Sequence, residues 1–259
     1  IQSKDSMSLK YYALTTLQKL VQVHKDDSLP HALIDVEMKR MKFVRNHASF
    51  DGADSLYYSA MTDLYNKYPE DETSAEIVYH LAKIHQDRGN AYNPKESEKY
   101  RWELKQAYVM CANAIKKYPA SFGADRCKIL MHELKRKALD VKTEKVNIPN
   151  QSIKARISYT NMSKVYHKLV KVNFDQYKKW MKNDDYKESF QKIQSSTEIK
   201  SWATELPNEG DFQEHAGVFK IDGLKKGFYV LLTASTDSFS HQKEAVAITP
   251  FWVSNISYM

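Results

Sequence analysis

The chain has 259 residues, enough for two domains of ordinary size that each bury a core of their own. Hydrophobic residues make up 42% of it, and no apolar run approaches the roughly 18 residues that cross a bilayer, which argues against a membrane-spanning helix. The net charge of +7 is spread along the chain and no nucleic-acid motif accompanies it, so a nucleic-acid partner is not expected.

The first half carries the three- and four-residue apolar spacing of amphipathic helices, as in Val78, Leu81 and Ala82. The spacing predicts six helices, at residues 7–25, 30–48, 52–68, 71–89, 95–118 and 122–141. Pro69 and Pro119 end the preceding helices, because the residue before a proline avoids the α region. A helical domain is therefore predicted for residues 1–145.

A short echo indicates that helix pairs repeat: Leu-Tyr-Asn-Lys-Tyr-Pro at 64–69 returns as Ala-Ile-Lys-Lys-Tyr-Pro at 114–119. A first helix has Leu81, Ala82, His85 and Gly89 at matching positions, and a second has Ala107, Cys111, Ala114 and Pro119. With these residues the segment 75–119 resembles a tetratricopeptide repeat (TPR). An insertion of about 13 residues near 92–103 departs from the standard period. Generic helical hairpins remain the alternative.

From residue 146 onward the sequence has the alternating pattern of short strands, typical of a small sandwich. Strands are predicted at 153–160, 163–172, 197–205, 212–221, 227–236 and 245–257. The segment 173–196 is too long for a hairpin turn, and its helical spacing predicts a helical excursion packed on the sheet. The last strand has no stop signal before Met259, so the last residues are expected to begin a third domain.

Four segments stand out in order along the chain: Tyr118–Leu130, Ile157–Asn161 with Val165-Tyr166, Gly223–Leu232 and Phe251–Asn255. Together they resemble the N-terminal region of bacterial α2-macroglobulin-like proteins of the Bacteroidetes type. The resemblance covers most of the chain and is least specific at 1–50. It implies a multidomain all-α plus all-β chain, with TPR-like helical repeats at 1–145. A seven-stranded, fibronectin-like macroglobulin domain would follow at 146–259.

The resemblance also implies a protease inhibitor of the cell envelope, periplasmic or anchored as an outer-membrane lipoprotein, that traps proteases after cleavage of a bait segment. This chain lacks the Cys-x-Glu-Gln thioester motif and a long flexible bait segment. We therefore expect a non-enzymatic scaffold and interaction fragment. Its partners would be the downstream domains, with target proteases bound through regions outside this chain.

The alternative function is a binding accessory module for extracellular peptide or glycan, using an aromatic groove on the helical half. The tyrosines on those helix faces are Tyr11, Tyr12, Tyr57, Tyr58, Tyr65, Tyr79 and Tyr108. Helix-to-helix packing, with the hydroxyls reaching solvent, is the other interpretation of these tyrosines. The function therefore remains a choice between scaffold and ligand-binding module.

No catalytic, cofactor or metal site is predicted. His80 and His85 lie five residues apart, a poor spacing for metal ligands on a helix. His215 and His241 lie near strands without a Ser or Cys motif, and both are expected at the surface. The lysine-rich segment 164–192 has interleaved aromatic residues that could stack on bases, but its mixed charges are more typical of a solvated face.

Cys111 and Cys127 are the two cysteines of the chain. If 104–118 and 122–141 are antiparallel helices that turn at Pro119, the two cysteines lie at the same height. Such pairs can bring Cα atoms within the roughly 4.4–6.8 Å that a disulfide requires. The envelope location implied by the resemblance is oxidising. A disulfide between them is therefore predicted, with two reduced core cysteines as the alternative.

Overall fold

A computed structural model describes residues 7–182, 186–239 and 245–255, with the backbone alone for Tyr186. The chain divides into two compact units, the first ending at Leu134 and the second beginning at Lys135. The first is helical and the second is built mainly of two β-sheets, which confirms the predicted order of a helical part followed by a β part. Across the described ranges, the helices are too short or too polar to cross a membrane.

The described part of the first unit contains six helices. They are α1 (Leu9–His24), α2 (His31–His47), α3 (Ala53–Lys67), α4 (Ser74–Asn90), α5 (Glu103–Lys117) and α6 (Phe122–Leu134). The predicted start of the fifth helix at residue 95 is wrong, because the Asn93 side chain accepts a hydrogen bond from the Lys95 amide (3.1 Å) and forms a turn. The predicted insertion accordingly lies in the connection 91–102 between α4 and α5.

Helices α3, α5 and α6 pack against α4, and α1 packs against α2. One apolar cluster joins α2, α3 and α4, and its buried members are Ile34, Met38, Tyr57, Met61, Leu64, Ile77, Leu81 and Ile84. Two glycines allow α5 and α6 to pack very close to α4. A Cβ at Gly89 would lie 2.6 Å from Leu104 Cδ2, and a Cβ at Gly123 would lie 2.3 Å from the carbonyl carbon of Ala75. No larger side chain fits at either position without a shift of its neighbour.

The sequence echo marks two equivalent helix ends. In both copies the amide of the tyrosine before proline, Tyr68 or Tyr118, donates to the carbonyl four residues earlier. A serine hydroxyl then donates to each tyrosine carbonyl, from Ser74 (2.6 Å) and from Ser121 (2.9 Å). The copies also touch each other, because the Tyr118 hydroxyl donates to the Pro69 carbonyl. The repeat in sequence therefore corresponds to two helix ends with the same local hydrogen bonding.

The second unit contains eight strands and two helices within its described residues. They are β1 (Ala138–Thr143), β2 (Val146–Asn147), β3 (Ile153–Thr160), β4 (Lys164–Lys171), α7 (Phe174–Met181), α8 (Tyr186–Gln194), β5 (Thr197–Glu205), β6 (His215–Ile221), β7 (Gly227–Ala234) and β8 (Val246–Val253). One sheet has the order β1-β3-β6 and the other β2-β8-β7-β4-β5. Buried residues of both sheets, such as Ile157, Leu169 and Leu231, form one core between them. This arrangement is the predicted β-sandwich in its general form.

The sequence pattern does not predict β1 and β2. The helix predicted for 122–141 ends at Leu134, and residues 138–143 pair antiparallel with β3 instead. The second unit thus begins at residue 135 rather than at 146. After Thr143 the chain crosses to the other sheet, where β2 runs parallel to β8. Pairing with β3 overrides the helix preference of the local sequence.

The predicted helical excursion between β4 and β5 is present as α7 and α8. Asn173 caps α7, and its side-chain oxygen accepts hydrogen bonds from the amides of Asp175 (3.0 Å) and Gln176 (3.1 Å). Phe190 and Ile193 of α8 are buried against the outer face of the five-stranded sheet. β8 ends at Val253, and Ser254 and Asn255 lie outside it, so the predicted strand is too long at its end. The expected start of a third domain falls at 256–259, outside the described residues.

Candidate functional site

An open cavity of about 600 Å³, called here the β1–β2 groove, lies where the chain passes from one sheet to the other. It exists because β1 pairs with β3 only as far as Thr143 opposite Ala155, while β3 extends to Ile153. The groove lining combines cationic, polar and apolar residues with one acid: Lys142, Lys154 and Arg156; Thr143, Asn147, Gln151 and Ser152; Val146, Ile148, Ile153 and Val218; and Glu144.

The groove opens onto the outer side of the three-stranded sheet, where four exposed cations form a surface called here the cationic face: Lys142, Lys154, Arg156 and Lys220. Lys142 is the direct cross-strand neighbour of Arg156, and Lys154 is that of Lys220. Lys142 pairs with Asp140 at 2.9 Å, whereas the other three cations form no ion pair within the described residues. Like charges directly opposite each other destabilise a sheet. Folding stability therefore does not explain this arrangement.

A second cavity, of about 630 Å³, adjoins α7 and the ends of β4 and β7. Its rings, from Phe174, Phe228 and Trp252, contact one another with centroids 5.0–5.1 Å apart. Tyr177 and Trp180, from the lysine-rich segment 164–192, pack against the same cluster. These aromatic side chains cover the sheet, so their role is packing rather than stacking on nucleic-acid bases.

A chain of polar groups in the helical unit resembles a catalytic relay in its connectivity. His85 Nδ1 lies 2.5 Å from Glu103 Oε2, and His85 Nε2 lies 3.1 Å from the Tyr58 hydroxyl. Enzymes activate nucleophiles through a carboxylate, an imidazole and a hydroxyl in this order. Here the three groups come from α5, α4 and α3, and Glu103 and Tyr58 each provide a hydrogen-bonding partner for the buried His85 ring. The network therefore joins three helices, and its members are too far apart in sequence for a local pattern to reveal it.

A second polar cluster joins α4 to α6. The Glu76 carboxylate forms ion pairs with Arg126 and with His80 (3.6 Å), and the Arg126 guanidinium lies 3.9 Å from the centroid of the Tyr79 ring. Burial alone would raise the pKa of Glu76, but the His80 hydrogen bond and the Arg126 charge lower it. In the described ranges, no group of three or more His, Cys, Asp and Glu side chains is arranged to hold a metal ion.

His167 is a buried histidine that no sequence pattern singles out. Its ring nitrogens lie 2.9 Å from the Thr233 hydroxyl and 3.0 Å from the Thr204 hydroxyl. The rings of Trp202 and Phe219 lie against it, with centroids 4.8 and 4.5 Å away. Burial lowers the pKa of His167 to about 4, so its imidazole is neutral at neutral pH.

Of the two histidines expected at the surface, the structure describes only His215. His215 is half-buried, and its Nε2 lies 2.9 Å from Oδ1 of the buried Asp211. The same carboxylate oxygen accepts a hydrogen bond from the Gln213 amide at 3.1 Å, which fixes the turn before β6. His241 lies outside the described residues.

Several of the helical tyrosines take part in packing. Tyr57 is buried, and Tyr58 and Tyr65 pack against the apolar cluster of α2, α3 and α4. The Tyr79 ring is covered by the Arg126 guanidinium. These contacts favour helix-to-helix packing over an aromatic ligand groove.

Cys111 and Cys127 meet across the contact between α5 and α6. Both are fully buried free thiols, and their side chains hydrogen-bond to each other. That hydrogen bond and the burial of the pair raise the pKa of Cys111. The two cysteines therefore lie next to each other on neighbouring helices, as the sequence predicts, while the disulfide itself stays a prediction.

We expect the two cysteines to oxidise to a disulfide, because both are buried and their thiols interact with each other. For a loop of this length the bond would stabilise the helical unit by about 3 kcal/mol. Intact mass after alkylation in denaturant, with and without prior reduction, measures it. Labelling of both thiols without reductant, after exposure to a glutathione buffer of oxidising poise, would contradict the prediction.

By architecture, the chain belongs to the class of proteins in which a helical-hairpin unit is followed by a β-sandwich-like unit. No protein-family model matches the sequence, and no curated protein matches it. Among solved structures it is similar to the CARDB domain of a Pyrococcus furiosus protein, solved in complex with di-metal ions. The two are 12% identical with a TM-score of 0.28, over 46% of this chain and 92% of that chain. Similarity at this level assigns no ligand to this chain.

Proposed function

We propose that this chain is a non-enzymatic scaffold and interaction region of an α2-macroglobulin-like, protease-trapping protein of the bacterial cell envelope. One observation carries the proposal: paired helices are followed along the chain by a two-sheet sandwich. That sandwich has a tyrosine whose hydroxyl bonds to the backbone at the start of a strand. Likeness of fold does not by itself establish an activity, so protease trapping by the complete protein is the decisive measurement.

The strand order supports a fibronectin-like macroglobulin domain. β1 and β2 are successive parts of one edge segment that changes sheet, so the unit has seven strand positions. The Tyr229 hydroxyl near the start of β7 donates to the Lys225 carbonyl, 2.8 Å away. This bond is the tyrosine corner found in such sandwiches. It also gives the Gly227-Phe228-Tyr229 strand entry, part of the resemblance, a structural reason.

The helical unit supports the TPR-like part of the proposal. Ala82 of α4 and Ala107 and Ala114 of α5 are buried, as expected for helical hairpins built on small residues. The Glu103–His85–Tyr58 network joins α3, α4 and α5 through two side-chain hydrogen bonds. Helices joined in this way suit a scaffold that holds other domains.

The test uses the complete gene product that contains this chain. Mixed with an endopeptidase, it is expected to suppress hydrolysis of a protein substrate while hydrolysis of a small peptide substrate continues, because a trapped protease excludes large substrates. Residues 1–259 alone, as the control, are expected to neither inhibit nor hydrolyse. Stoichiometric inhibition by residues 1–259 alone, or unchanged protein hydrolysis with the complete product, would contradict the proposal.

A further inference from the structure

We propose that the cationic face and the β1–β2 groove bind an acidic segment of a protein partner in extended conformation. This proposal is independent of the protease-trapping proposal, because it rests on the charges and strand edges of the second unit alone. It gives the alternative function, peptide binding, a location on the sandwich rather than on the helices.

The groove offers a short strand edge. β3 begins at Ile153, two residues before its first pair with β1 at Ala155. Successive residues of a strand direct their N–H and C=O groups to opposite sides. One of Ile153 and Lys154 therefore directs its backbone groups towards the groove rather than towards β6. An extended peptide that continues the line of β1 can hydrogen-bond there, as in other cases of strand addition.

The positive charges of the cationic face favour an acidic peptide as the partner. Lys154, Arg156 and Lys220 have no ion pair within the described residues, and each lies beside another cation in the sheet register. A carboxylate between neighbouring cations would offset their mutual repulsion. Binding of an acidic peptide would therefore relieve the electrostatic cost that these cations impose on the folded sheet. Among the lining residues that the structure describes, Glu144 is the one acid.

The apolar residues at the rim favour a peptide over other polyanions. Ile148 is 59% exposed and Val218 is 69% exposed, and both line the groove beside the cations. Alternating side chains of an extended peptide can place carboxylates on the cations and aliphatic groups on these two residues. None of the described lining residues is aromatic, whereas binding of single-stranded nucleic acid relies on aromatic stacking.

The test measures fluorescence anisotropy of a labelled peptide of alternating Glu and Val added to the full chain. We expect saturable binding that weakens as salt is raised, and no binding of the matched Gln–Val peptide. The double substitution Lys154→Glu with Lys220→Glu is expected to weaken binding by at least about tenfold. The control Lys179→Glu with Lys187→Glu changes exposed lysines on α7 and α8 by the same total charge and is expected to leave affinity unchanged.

Folding of the variants is checked independently. Lys220→Glu alone replaces a like-charge cross-strand pair by an ion pair, so its melting temperature is expected to equal or exceed that of the parent. Equal loss of binding in the control variant would show that net charge alone is responsible and would overturn the proposal. Absence of peptide binding at low salt, or binding of anionic phospholipid vesicles without binding of the peptide, would overturn it as well.

Discussion

Replacement of Gly123 by alanine is expected to destabilise the helical unit by about 3 kcal/mol or more. The added Cβ would lie 2.3 Å from both the carbonyl carbon of Ala75 and the amide nitrogen of Glu76. These are backbone atoms of α4, so no side-chain rotation relieves the clash. Overpacking of a core costs about 1–3 kcal/mol and more when a helix must shift. Here α6 would have to move away from the central helix of the unit.

Urea unfolding followed by the helical circular dichroism signal measures the effect of Gly123→Ala. Gly217→Ala in β6 is the matched control, because a Cβ there would meet only Ile157 Cγ2, at an ordinary 3.5 Å. The control is expected to change stability by less than about 0.5 kcal/mol. Equal midpoints for the two variants would show that α4 and α6 are not in backbone contact.

Acidification from about pH 6.5 to pH 4 is expected to cost the β unit about 3 kcal/mol through His167 alone. Burial holds the folded-state pKa of His167 at about 4, below its ordinary value of 6.5. Between these two values the unfolded state binds a proton that the folded state excludes. Stability is therefore fully present above pH 6.5 and falls as the pH approaches 4. Where the pKa differs by one between the folded and unfolded states, the free energy of unfolding changes by about 1.4 kcal/mol.

The measurement is the free energy of unfolding of the β unit, followed by tryptophan fluorescence at a series of pH values. The matched variant is His167→Gln, whose amide can hydrogen-bond to the Thr204 and Thr233 hydroxyls but cannot be charged. Its stability is expected to depend less on pH across this range, since every other titrating group is shared with the parent. Parallel pH profiles for the two proteins would rule out the assigned role of His167.

Local periodicity predicted much of the secondary structure. The strands at 153–160 and 197–205 have the predicted bounds, and the burial pattern of β3 alternates as its sequence does. The helical excursion between β4 and β5 was visible in the same way. In these segments the apolar residues that define the strand or helix period are only two to four positions apart. A short stretch of sequence is therefore enough to predict the element.

The failures have two causes. Residues 138–143 form β1 because β3, distant in sequence, provides hydrogen-bonding partners, although the helical pattern was predicted to continue to residue 141. The same misassignment placed the predicted boundary between the units at residue 146 rather than 135. The error in 95–102 is local, because the Asn93 side chain forms a turn with the Lys95 amide and the helix begins only at Glu103.

The sequence by itself determined the order of a helical unit and a β unit, most element positions and the level contact of Cys111 and Cys127. Only the tertiary structure decided the cationic face, where sheet register places Lys154 opposite Lys220, and the burial of His167 between two threonine hydroxyls. The physical reason is the range of the interactions. Periodicity reflects neighbours within one or two turns of the chain, whereas register and burial depend on residues that only folding brings together.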